Sequence, residues 1–246
     1  MNTHVSPDQT LVDPVALRQD LADAFRICHQ LGWSESVGNH FSAAASDDGA
    51  RFLLNPRWQH FATIKPEDLL LLDSHDPSVL EGPNAPDASA WCVHGTLHRR
   101  KPEAKVLLHC HSPYATALAC LKDPTVVPID NNTARFYGRT AYDLDFGGIA
   151  DAEEEGERLA ERLGDKSVLV MGNHGVTIVG DTVADAFEDL YFFEKAAQTL
   201  ILARSTGQPL AVLSDAVAQN TADGWIAYRG MAQRHFEYLR SQLPPL

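Results

Sequence analysis

The chain has 246 residues, 44% hydrophobic and 22% charged, a composition that supports a sizeable buried core and excludes a largely disordered polypeptide. Twenty Lys and Arg against 33 Asp and Glu leave a net charge of −13 with no basic run, which argues against nucleic acid and anionic membrane surfaces as partners. No stretch approaches the roughly 18 consecutive apolar residues of a membrane span, and the N-terminus lacks a secretory pattern, so a cytoplasmic protein with four reduced cysteines (Cys28, Cys92, Cys110 and Cys120) is expected.

In chain order, Asp13-Pro14 reads as an N-cap and first-turn pair, and Leu17, Leu21, Phe25, Cys28 and Leu31 recur at helical spacing until Gly32. Between Val37 and Leu72 the pattern turns to short strands, Arg51 to Leu54 and Leu69 to Leu72, divided by turn residues. Ser74 to Pro86 reads as a loop, and Asp87 caps a predicted helix running to about Arg99. Val106 to His111 reads as a strand, and Ser112-Pro113 as the start of a helix to about Leu121. Asp151 to Leu163 is a predicted surface helix whose acidic start suits the positive end of the helix dipole. Two strands, Val168 to Met171 and Val176 to Val179, flank the turn Gly172-Asn173-His174-Gly175, and a long apolar helix follows Asp181. Helices and strands alternate without a strict βαβ repeat, which predicts a sheet covered by helices in one domain spanning 1–246.

His109 and His111, two apart on a strand, put their imidazoles on one face. An isolated pair of this kind is more often explained by packing, but this one stands at a strand end just before a helix start, where loops present functional groups. His174, flanked by glycines in a tight turn, is a third candidate, and three neutral imidazoles would hold a divalent ion with an open position. His94 and His98 stand four apart on the predicted helix, but the Glu of an HExxH motif is absent, so no second metal site is expected. Gly147-Gly148 is not a GxGxxG turn and predicts no dinucleotide site.

The segment VLLHCHSPYATALACL (Val106 to Leu121), followed by Asn173-His174-Gly175-Val176 and by Asp181 to Phe187, resembles the class II aldolase and adducin head family over about residues 14–205. The resemblance implies a three-layer α/β/α fold with a largely antiparallel central sheet, followed here by a C-terminal helical extension over 206–246. It also implies a divalent ion on His109, His111 and His174, zinc in the first place with Mn, Fe or Co as alternatives, and a homotetramer acting on a small molecule. Gly38-Asn39-His40-Phe41-Ser42 falls on the family's GNxS turn, and Leu54-Asn55-Pro56-Arg57 on its TPSG turn, which makes Gly38, Asn39 and Asn55 candidate substrate-binding residues. Tyr142 stands where the aldolases place a tyrosine in a neighbouring subunit's site, so Tyr142 and His94 are the candidate proton donors.

Two departures shape the functional expectation. Ala90 occupies the position of the family's acid/base glutamate, four residues before His94, and most of the phosphate-binding signature is missing. Retro-aldol cleavage needs a base for the hydroxyl proton, whereas decarboxylation needs only a later proton donor. The expectation is therefore a metal-dependent carbon–carbon lyase, a decarboxylase or an unusual aldolase, acting on a non-phosphorylated hydroxy carbonyl or hydroxy acid. A noncatalytic adducin-like assembly protein and an iron-dependent oxygenase on the same histidines are the alternatives.

Overall fold

The structure, a computed structural model, describes residues 14–82, 84–145, 148 and 153–246. The proposed N-cap Asp13, Gly147 and the first residues of the acidic run, Asp151 and Ala152, lie outside the described residues. Eight helices among the described residues are α1 (Pro14–Gln30), α2 (Ala88–Arg100), α3 (Pro113–Ala119), α4 (Asn131–Ala134), α5 (Glu153–Leu163), α6 (Val183–Ser205), α7 (Asp215–Ala227) and α8 (Gly230–Ser241). Seven strands, β1 (His40–Ala44), β2 (Arg51–Leu54), β3 (Leu70–Asp73), β4 (Val106–Cys110), β5 (Thr140–Asp143), β6 (Val168–Met171) and β7 (Gly175–Gly180), form one sheet in the order β3-β2-β1-β4-β7-β6-β5. Only the β5–β6 pair is parallel.

Alternation along each strand sorts side chains into two layers. Phe41, Leu53, Leu108, Val170 and Ile178 face the cluster built by α1, α3 and α6, while Leu107, Ala141 and Leu169 face α2 and α5. The second layer is tight because Gly156 of α5 meets α2 without a side chain, where a Cβ would lie 2.9 Å from Cys92 O and from Thr96.

Strand β1 went unpredicted. His-Phe-Ser-Ala-Ala has little β-branched or aromatic content, and its inward face toward α2 carries His40 and Ser42 rather than apolar residues. It takes a central place because β2 and β4 pair with it on either side, His40 opposite His109 and Ser42 opposite Leu107.

Helix α3 starts at Pro113 as expected, but its cap comes from another element. Ser112 makes no cap bond of its own; its Oγ donates to Glu194 Oε2 at 2.7 Å, and the buried Glu194 carboxylate accepts from Tyr114 N and Ala115 N at 2.9 and 2.8 Å. A residue of α6 therefore caps α3. Helix α6 lies inside the chain, where α1, α3, α4 and α8 pack around it and twelve of its residues are buried.

Candidate metal centre

Strand β4 ends at Cys110, so His109 lies on its last turn of pleat and His111 just beyond it. His174 comes from the hairpin between β6 and β7, where Asn173 adopts the left-handed backbone (φ 55°) and Gly175 comes so close to the neighbouring chain that a Cβ would lie 2.7 Å from Cys110 O and from His111 Cδ2. This close approach brings the three histidines together. One ligand atom from each lies within 4.8 Å of the others, and ring centroids are 4.8 to 5.1 Å apart.

The donor set fits a divalent ion. Thr177 Oγ1 donates to Met171 Sδ, so it accepts from His109 Nδ1 at 3.2 Å, which leaves His109 Nε2 as the lone-pair nitrogen. Glu35 accepts from His111 Nδ1, and the opposite nitrogen, Nε2, is buried without a hydrogen-bond partner among the described residues. A carboxylate behind a histidine is the usual way a ligand ring is oriented toward its metal. Burial, together with the neighbouring His111, pushes His174 down to about 4, and burial with the surrounding imidazoles holds His109 well below the usual histidine range. Both are therefore neutral near pH 7, the state that binds a metal.

Two cavities open on this cluster. The larger, about 510 Å³, is lined by Glu35, His40, Val93, Pro113, Thr116 and Met171 together with the three histidines; the smaller, about 200 Å³, adds Gly38, Asn39, Asn55, Arg57, Trp58 and Asp87. Gly38, Asn39 and Asn55 are thus brought to the histidines. Asn39 Oδ1 accepts from His111 N at 3.4 Å, and Asn55 accepts from Phe41 N at 3.3 Å while donating to Asn39 O, so the Asn55 amide is committed to the backbone of the turn. Arg57 stacks over Trp58 with its Cζ 4.4 Å from the ring.

Neither expected proton donor lines these cavities within its own chain, and for Tyr142 the expectation concerns a neighbouring subunit's site. Tyr142 packs against the α1/α6 cluster, on the face of the sheet opposite His109, because β5 points Ala141 rather than Tyr142 toward α2 and α5. Its hydroxyl accepts from Val126 N at 2.9 Å, and burial raises its pKa. His94 is fully buried and reaches neither cavity, since both ring nitrogens are engaged, one by His40 and one by Ser42.

That engagement is part of a longer chain. His40 and Ser42, two apart on β1, meet His94 and His98, four apart on α2, so a strand period of two is matched to one helical turn. His98 Nδ1 donates to Ala104 O at 2.8 Å, an oxygen that can only accept. Burial lowers His98 to about 4, holds His94 well down and lowers His40 to about 3, so each ring is neutral and carries one N–H. The directions then follow. Ser42 Oγ donates to His98 Nε2 at 2.7 Å and accepts from His94 Nδ1, and His94 Nε2 accepts from His40 Nδ1 at 2.7 Å. Glu35, Thr177, Ser42 and His40 were missed as site residues; the helix spacing of His94 and His98 was visible, but its partners lie more than 50 positions away.

A mostly antiparallel sheet between helical layers, with three histidines converging at the ends of its central strands, defines a three-layer α/β protein with a site that could hold a divalent ion. The chain belongs to the class II aldolase and adducin N-terminal domain family, whose profile matches residues 19–201. It is 29% identical over 192 residues to an adducin-related protein of Schizosaccharomyces pombe, covering 76% of this chain and 58% of that one. It is 24% identical over 216 residues to the decarboxylase NovR of Streptomyces niveus, covering 85% and 79%. Among solved structures, an aldolase II superfamily protein from Pseudomonas syringae superposes with a TM-score of 0.84 at 28% identity, covering 98% of this chain and 94% of that one. Among the described residues no helix is long and apolar enough to cross a membrane.

Proposed function

We propose that the chain is a divalent-metal-dependent lyase that cleaves a carbon–carbon bond, by decarboxylation or aldol cleavage, in a non-phosphorylated hydroxy acid or hydroxy carbonyl compound. The observation that carries this reading is the convergence of His109, His111 and His174 on one cavity, with Thr177 and Glu35 turning two of the rings so that Nε2 faces the ion's place. An ion bound there supplies Lewis acidity, drawing electron density from a chelating substrate as the bond breaks. Zinc is the first ion to test, because three histidines with an open position are a common catalytic zinc set, and Mn, Fe and Co follow because imidazole ligands do not select among them.

The chain's own residues narrow the substrate. Arg57 brings a guanidinium to the smaller cavity, a counter-charge for a substrate carboxylate. The Asn55 amide, where phosphate-binding relatives have their TPSG turn, is already bonded to the backbone, which supports an unphosphorylated substrate. Ala90 packs with Phe52, Leu54 and Leu72 in an apolar cluster and offers no base, which favours decarboxylation, as does the likeness to NovR. The adducin-related likeness by itself suits a noncatalytic assembly protein, and the retained triad is what speaks for catalysis. A homotetramer belongs to the same reading, supported by exposed Val217, Ile226, Tyr228 and Tyr238 on and between α7 and α8.

Elemental analysis of the purified wild type and of His111→Ala tests the centre: about one equivalent of a divalent ion is expected in the first and under about a tenth of that in the second. Equal metal content in the two sinks the assignment. A screen of metal-loaded protein against hydroxy acids, read as carbon dioxide or aldehyde release, then separates decarboxylation from aldol cleavage.

A further inference from the structure

The relay Ala104–His98–Ser42–His94–His40 ends at the cavity. Each link has its direction set by the one before it, beginning from a backbone carbonyl that cannot donate. The last ring, His40, therefore has its proton on Nδ1, the tautomer that free histidine populates less, and carries a lone pair on Nε2. That nitrogen makes no hydrogen bond among the described residues. His40 stacks on His109, with ring centroids 4.7 Å apart and planes 22° apart, and lines both cavities beside the triad. It stands outside the group of ligand atoms that lie within 4.8 Å of one another, so it neighbours the ion's place without belonging to the ligand set.

Two neighbouring carboxylates each have one oxygen in use: Asp87 Oδ1 accepts from Ser89 N, Ser89 Oγ and Ala90 N as the cap of α2, and Glu35 Oε2 accepts from His111 Nδ1. A chelating hydroxyl group beside the triad needs an acceptor for its hydrogen, and in this chain Ala90 supplies none.

We propose that the buried relay fixes His40 as a permanent hydrogen-bond acceptor at Nε2, and that His40 receives the hydroxyl hydrogen of the bound substrate, selecting hydroxy acids over their keto or ether counterparts. This rests on the lyase reading for its ligand, while the tautomer of His40 stands on the relay alone. Ser42, His94 and His98 are positioning residues that act through His40.

Two measurements test it. In metal-free protein carrying ¹⁵N-labelled histidine, long-range proton–nitrogen correlations assign the tautomers directly: His40, His94 and His98 are each expected with the proton on Nδ1. A proton on His40 Nε2 overturns the proposal whatever the metal content. In zinc-loaded protein, calorimetric titration with glycolate and with methoxyacetate reads acceptance of the hydroxyl hydrogen as the ratio of the two affinities. His40→Asn keeps an amide near Nδ1 for His94 but removes the distal acceptor, and is expected to lower that ratio about tenfold, the worth of one hydrogen bond. His40→Gln puts an amide oxygen near the Nε2 position and is expected to restore most of it. A ratio unchanged in His40→Asn overturns the proposal, since a merely structural histidine would weaken both ligands alike. Metal content measured on the same samples separates the two readings: protein that takes up no zinc fails as a metal centre, and the proposal about His40 is then decided by its tautomer.

Discussion

At the residue scale, burial keeps His109, His174 and His40 neutral, and a partner holds one nitrogen of His109, of His111 and of His40. Thr177 does this for His109, Glu35 for His111, and Ala104 O, through the relay, for His40. His98 shows what this arrangement costs in acid. Its value in the folded chain is about 4, against about 6.5 when unfolded, so the unfolded chain takes up a proton from pH 6.5 downward while the folded chain does not. Stability owed to this group is thus fully present above pH 6.5 and is lost as pH falls toward 4, by about 3 kcal/mol in total and about 2 kcal/mol by pH 5. Urea unfolding at pH 7 and pH 5 should show the midpoint fall in the wild type and fall less in His98→Gln, which cannot titrate. An equal fall in both would place the acid sensitivity in other groups.

At the element scale the apolar patterns were legible and the polar joints were not. Helix α1, strands β2, β4, β6 and β7 and helix α6 stand where their hydrophobic periods put them, because burial of a stripe or a face is written in local spacing. Strand β1 has no apolar period to announce it, because its inward face carries His40 and Ser42, and that polarity makes sense only once α2 lies against it. The start of α3 gives a second instance. Ser112-Pro113 marked the boundary correctly, yet the cap is Glu194 from α6, 82 positions away. Glu194→Ala would leave Ser112 Oγ and two backbone N–H groups without their charged acceptor, an expected loss of about 3 kcal/mol, whereas Ser112→Ala should cost about 1 kcal/mol. Denaturant titration at unchanged m-value checks the pair; similar losses in both would mean that Ser112 caps the helix itself.

At the scale of the whole molecule, one buried carboxylate joins three parts of the chain. Asp189 on α6 is fully buried and pairs with Arg135 at 3.1 Å, Arg139 at 2.6 Å and Arg229 at 2.8 Å, tying the segment after α4 and the junction of α7 and α8 to the central helix. Burial pulls the Arg135 guanidinium below its usual range while Asp189 pulls it back, and Arg135 also lies over the rings of Phe192 and Trp225 at 4.5 and 5.0 Å. Removing Asp189 takes the paired carboxylate from the buried Arg135, so Asp189→Ala should cost about 3–5 kcal/mol, and Arg139→Ala, which leaves two partners, clearly less. Equal losses in the two variants, measured by urea unfolding, would show that the cluster is not centred on Asp189.

The sequence alone determined the family, the helix-covered sheet and the three histidines, because these rest on spacing: two residues along a strand, a glycine-flanked turn, a periodic apolar helix. Only the tertiary structure decided which other side chains serve that site. Within its own chain Tyr142 points to the opposite face of the sheet, and His94 is buried between Ser42 and His40. Glu35 and Thr177 carried no motif and stand directly behind two of the histidines. Hydrogen bonds between residues 50 to 80 positions apart leave no period in a sequence, since each partner is chosen by how sheet and helices pack, and in this protein those bonds set which nitrogen of His109, His111 and His40 faces the cavity.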